Sequence, residues 1–166
     1  SKKLHGSQTQ SYSYNIRNWL TNTTSSKFTQ NLTYNNGTSG YFNGNIQAMN
    51  WTANGASHSY NFTYDGANRM LNATHGNNYF TEKVTGYDKN GNILSLQRYG
   101  QTGASSYGLV DNLTYTLNGN QLSTVTDAVS TAAYGTNTAF SGTSSTYAYD
   151  ANGNLTQDSG KGITNI

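Results

Sequence analysis

A short motif recurs along this chain, and it constrains the fold more than any other feature. Tyr64-Asp65-Gly66-Ala67-Asn68-Arg69-Met70-Leu71 aligns with Tyr87-Asp88-Lys89-Asn90-Gly91-Asn92-Ile93-Leu94 and with Tyr149-Asp150-Ala151-Asn152-Gly153-Asn154-Leu155-Thr156. Partial copies stand at Tyr14-Asn15-Ile16-Arg17-Asn18-Trp19-Leu20 and Tyr115-Thr116-Leu117-Asn118-Gly119-Asn120-Gln121-Leu122. Asn43-Gly44-Asn45-Ile46 keeps the second half only, which sets its start at Gly40. Starts at 14, 40, 64, 87, 115 and 149 define about six units with insertions between them. Spacings of this size mark repeat architectures, in which one unit cannot bury its apolar face alone and must stack on its neighbours.

Each part of the motif has a physical role. Apolar and polar residues alternate ahead of the Tyr, as in Tyr60/Phe62/Tyr64 and Leu113/Tyr115/Leu117, the period of a strand with one covered face. The Asp or Asn after the Tyr can bond to its own backbone, and Asn-Gly supplies positive φ for a tight turn. Asn-Gly occurs at Asn36, Asn43, Asn54, Asn90, Asn118 and Asn152, and Asp65-Gly66 adds a seventh turn signal. An apolar residue then opens the outgoing strand, so each copy is expected to form a β-hairpin. Isolated hairpins are marginal in water. The copies are therefore expected to pair edge to edge into one continuous, twisted antiparallel sheet with open ends.

Composition agrees. Asn (24), Thr (24), Ser (18) and Gly (18) make up half of the 166 residues, while Leu, Ile, Val and Phe supply only 25. Fourteen Tyr and a net charge of +2 separate the chain from disordered sequences, which are aromatic-poor and strongly charged. No apolar run approaches the ~18 residues of a membrane span, so membrane insertion is not expected. Nine scattered basic residues against seven acidic ones give no footprint for nucleic acid. Cysteine is absent, which removes disulfides and thiolate metal sites.

The Tyr-Asp-x-x-Gly-Asn-x-(Leu/Ile) copies resemble the YD repeats of the Rhs/YD-repeat family from about Tyr12 to the C-terminus. The resemblance implies a spiralling strip of YD-repeat β-hairpins, residues 12–166 as one domain whose last repeat is truncated, and residues 1–11 as an N-terminal extension. It also implies a secreted or cell-surface bacterial protein in which such strips wall a shell around a toxin. The remainder of a longer parent chain is then the first partner. Open sheet edges make self-association the second, since unpaired edges recruit other strands. Self-cleavage by some relatives is associated with an Asp-Pro-x-Gly type motif, which a chain without Pro cannot contain.

Residue chemistry points away from catalysis. Asp65, Asp88 and Asp150 share one motif position, so a turn role accounts for all three. His5, His58 and His75 show no metal-ligand spacing and are expected in solvated loops. No Gly-x-Ser-x-Gly elbow or phosphate-binding glycine loop is present. No catalytic residue, metal or cofactor is expected, and the chain is read as a non-enzymatic scaffold segment. The alternative is a carbohydrate- or cell-surface-binding module, with a glycan as partner and Trp19 and Trp51 as ligand-binding residues. An indole offers a flat apolar face with a polar tip. Eight Asn-x-Ser/Thr sequons in so Asn- and Thr-rich a chain are given no role.

Overall fold

The computed structural model describes residues 2–4, 8–129, 134, 139–140 and 142–164. They form antiparallel strands and two single-turn 3-10 segments, with no α-helix among the described residues. The chain divides into two compact units, 1–77 and 78–166.

The first unit contains β1 (Lys2–Leu4), β2 (Gln8–Tyr14), β3 (Leu20–Thr24), β4 (Phe28–Thr33), β5 (Ala48–Ala53), β6 (Ala56–Tyr64) and β7 (Met70–His75). Each strand pairs with the next in sequence. Strand pairing already begins within residues 1–11, where Lys2 to Leu4 pair with Gln10 to Gln8. The second unit contains β8 (Glu82–Tyr87), β9 (Ile93–Gln101), β10 (Tyr107–Asn118), β11 (Gln121–Asp127), β12 (Ser144–Tyr149) and β13 (Leu155–Asp158), again paired in sequence order.

Four motif copies build the same turn. In the copy at Tyr64, the Asp65 N–H donates to the Arg69 carbonyl, and the Asp65 carbonyl accepts from the Asn68 N–H. One carboxylate oxygen, Oδ1, accepts the N–H groups of Ala67 and Arg69, each at 2.9 Å. Asp88 and Asp150 repeat this pattern onto residues 90 and 92 and residues 152 and 154, and Asn15 repeats it onto Arg17 and Trp19. The residue two positions before the outgoing strand has positive φ in all four: Asn18, Asn68, Gly91 and Gly153. This is a three-residue hairpin loop, a type I turn closed by a left-handed residue. Each turn is flanked by a register slip at the motif Tyr, as between Thr63 and Tyr64 and between Ala148 and Tyr149, and such bulges increase local twist.

The other four Asn-Gly pairs divide: two lie in tight hairpin turns as expected and two do not. Asn54 and Gly55 both have positive φ, at 50° and 83°, in a two-residue turn between Ala53 and Ala56. At Asn118, the loop residues are Gly119 and Asn120, with only the glycine at positive φ. Asn36-Gly37 and Asn43-Gly44 lie in the long connection between β4 and β5, so the copy assigned to Gly40 is not a hairpin turn. Gly40 instead packs against the Asn35 backbone, where a Cβ would sit only 2.5 Å from the Asn35 Cα. The signal fails here because Asn-Gly specifies local dihedrals, and strand pairing decides whether a hairpin uses them.

Neighbouring turns are tied side chain to side chain. The Asn43 and Asn45 amides donate to Asn68 Oδ1 at 2.5 and 3.3 Å. In the second unit, Asn90 and Asn92 donate to Asn120 Oδ1 at 3.1 and 3.0 Å. Tyr64 adds a further tie by donating its hydroxyl to the Ile46 carbonyl at 2.9 Å. Among the described residues the buried apolar side chains are few: Tyr34, Ala73, Val84, Val110, Leu113 and Val125. Hydrogen bonding between successive hairpins therefore carries much of the order that a thick core supplies elsewhere.

Candidate functional site

Strand alternation sorts the first unit into two faces. Trp51 faces His58 across the β5–β6 ladder, and Tyr60 faces His75 across β6–β7. These rings pack as a cluster. Trp51 stacks on His58 at 5.0 Å and on Tyr60 at 5.8 Å between centroids, and His75 meets Tyr60 edge-on at 5.2 Å. His75 is buried, with 7% of its surface exposed. Burial, and then the neighbouring His58, hold its pKa below the usual imidazole value. His58 and His75 are thus strand residues, not the solvated loop residues expected. Ser57-His58-Ser59-Tyr60-Asn61-Phe62 already alternates in sequence, and that period was the available signal. His5 lies outside the described residues.

The opposite face carries uncharged polar rows. Asn22, Asn31, Asn50 and Ser59 are partners in register across β3 to β6, as are Thr24, Thr29, Thr52 and Ser57. Some of these groups bond to one another: Asn22 donates to Asn31 at 2.8 Å, and the Thr52 and Ser57 hydroxyls lie 3.1 Å apart. An open cleft of about 280 Å³ is lined by Thr29, Asn31, Asn50, Trp51, Ser59 and His75, among others.

Trp19 and Trp51 are not brought together. The Trp19 N–H donates to Asn15 Oδ1, and its ring lies 5.1 Å from Tyr34 with the Arg17 guanidinium over its face. It occupies the position where Arg69, Asn92 and Asn154 donate a side-chain N–H to the second carboxylate oxygen of the motif Asp. At this copy an Asn replaces the Asp and an indole replaces the donor. Gly44 sits against that indole, with space for a Cβ only at 3.3 Å. Both Trp residues are half-buried.

The three motif carboxylates are occupied by their own turns. Their pKa values lie below the ordinary carboxylate range: at Asp65 chiefly through the Arg69 backbone N–H, at Asp88 and Asp150 chiefly through the Asn92 and Asn154 amides. In the second unit, Asp111, Asp127 and Asp158 are buried, which no motif signalled. Asp111 is fully enclosed; its Oδ2 accepts from Arg98 at 2.9 Å and its Oδ1 from the Phe140 N–H at 2.6 Å. It sits where the β9–β10 register slips past Val110. Arg98 also approaches Glu82 at 3.5 Å. Asp127 accepts the Asn112 and Val129 N–H groups at 2.8 and 3.0 Å. Asp111 and Asp127 are thereby compensated within the fold. No cluster of three or more metal-ligating side chains occurs among the described residues, and no helix is long and apolar enough to cross a membrane.

No known family profile matches the chain, and no curated protein sequence matches it. Its fold is similar to that in two solved crystal structures, of TcdB2-TccC3-Cdc42 and of TcdB2-TccC3. Both matches cover 89% of this chain at 17% identity, with TM-scores of 0.63 and 0.64. The chain spans 7% of the length of either matched chain. The likeness places the chain's fold among the all-β architectures found within much larger polypeptides.

Proposed function

We propose that this chain is a non-enzymatic structural segment of a secreted or cell-surface YD-repeat protein, contributing wall to a larger β-shell. The recurring Asx turn carries the reading. Four copies close the same loop with the same hydrogen bonds, and successive turns bond to each other, so the motif residues are used in extending the sheet. The fold likeness to segments of far longer chains supports the same view. A wall segment is expected to gain stability from a neighbouring repeat. Two copies fused in tandem should therefore melt above the single chain, and an unchanged melting temperature would refute wall building. The same open edges are expected to self-associate; light scattering showing a strict monomer at high concentration would count against that. Panels of glycoside, ester and phosphoester substrates should show no turnover.

A second reading, a glycan-binding module, is favoured by the open cleft that the uncharged Thr29, Asn31, Asn50 and Ser59 line together with Trp51, whose ring belongs to the aromatic face of the same sheet. Such groups suit a neutral, hydroxyl-rich ligand better than a charged one. A glycan array with a Trp19→Ala/Trp51→Ala double variant separates the readings. Binding by the parent chain that is lost in a folded variant supports the module, and a silent array supports the scaffold.

A further inference from the structure

The second unit holds a small cavity that neither reading uses. Its volume is about 150 Å³, and Phe140, Ser145, Tyr147, Asp158, Gly160 and Lys161 line it. Tyr147 and Asp158 are cross-strand partners on β12 and β13, which places their side chains next to each other on one face. Ser145 lies two residues earlier on β12 and therefore on that same face.

Two groups in this cavity are left short of partners. The Ser145 side chain is 1% exposed, and its Oγ makes no hydrogen bond of full geometry, although the neighbouring Tyr147 hydroxyl interacts with it. A buried hydroxyl without a partner is costly, and native folds seldom keep one without a use. Gly160 leaves the space open, since a Cβ there would collide with Ser145 Oγ. Asp158 is 6% exposed and is the least compensated of the three buried carboxylates. Its Oδ1 accepts the Lys161 N–H at 3.3 Å, and its Oδ2 lies 4.0 Å from a lysine ammonium whose side chain is 78% exposed. Asp111, by comparison, holds an arginine and a backbone N–H, both within 2.9 Å.

A carboxylate, a poorly partnered hydroxyl and two aromatic rings around one void form a complement to a single cation with N–H donors. The carboxylate supplies charge, Ser145 Oγ accepts one N–H, and the Phe140 and Tyr147 rings line the void, where an aromatic surface favours positive charge. We propose that this cavity is a binding site for a primary alkylammonium group, delivered either by a free amine or by a lysine side chain of a partner polypeptide.

The test is an amide-resolved NMR titration of the whole chain with n-butylammonium chloride, alongside n-butanol as the neutral isostere and a lysine-containing tetrapeptide. Saturable shifts at Ser145, Tyr147 and Lys161 with n-butylammonium, absent with n-butanol, are expected. Equal response to both peptide and free amine assigns the ammonium itself as the determinant, while response to the amine alone restricts the source to small molecules. Ser145→Ala should weaken binding roughly tenfold, the worth of a hydrogen bond to a charged group. Lys161→Gln lies on the surface and removes the competing intrinsic ammonium, so it should tighten binding by roughly threefold. A purely structural role for Asp158 and Ser145 gives no such gain. Absence of saturable shifts, an equal response to n-butanol, or weaker binding in Lys161→Gln overturns the proposal.

Discussion

Replacing Gly91 by Val tests the recurring turn at its most demanding position. Gly91 has φ +91°, and nothing lies within 4 Å of where its Cβ would stand. The substitution therefore meets no collision, and its cost is the backbone conformation alone. A non-glycine residue held in the left-handed region costs about 1–2 kcal/mol, and a β-branched side chain belongs at the upper end of that range or above it. One kcal/mol lowers the melting temperature of a domain the size of the 78–166 unit by roughly 4–8 °C. Gly91→Val is thus expected to lower the melting temperature by about 5–15 °C when followed by circular dichroism or scanning calorimetry. The structure contains its own control. Asn18 and Asn68 occupy the equivalent position at φ 59° and 64°, so Gly91→Asn should retain nearly all stability. A Val variant that melts with the parent chain would refute the assigned turn, and an Asn variant as damaged as Val would show that φ is not the cause.

His75 gives a pH dependence of known sign: its pKa is lowered in the fold, so its contribution is complete above the unfolded value of about 6.5 and is lost as pH falls below it. Urea midpoints should drop between pH 7.5 and 5.5, and His75→Gln should flatten that drop. The motif carboxylates act in a separate, more acidic window, their stabilisation being present above about pH 4 and lost as pH falls through the lowered folded values. Asp88→Asn should keep the turn, because Asn15 already accepts the same two backbone N–H groups in the first copy, while reducing sensitivity to acid between pH 4 and 2; a variant that unfolds at neutral pH would contradict this. Arg98→Met removes the cation from the enclosed Asp111 and should cost about 3 kcal/mol in denaturant unfolding, with little change expected if the pair is solvated instead.

The repeat, the strands and the turn chemistry were legible in the sequence because they depend on neighbours a few residues apart. Tyr-Asp-x-x-Gly-Asn specifies a local loop, and the alternation at Tyr60/Phe62/Tyr64 specifies a strand, whatever surrounds them. Pairing in sequence order then follows from successive hairpins. The use of Asn36-Gly37 and Asn43-Gly44 was not legible, since the residue type allows positive φ and only the β4–β5 pairing decides where the chain reverses. Nor was the fate of the charged and imidazole groups. Asp111, Asp127 and Asp158 read as isolated acids, yet the register of β9 to β13 places them on a covered face beside Arg98, backbone N–H groups or Ser145. Trp51, His58, Tyr60 and His75 are spread over three strands and meet only because cross-strand register sets them side by side. Local dihedral preference fixed the hairpins, whereas long-range register, a property of the assembled sheet, chose which side chains share a cavity.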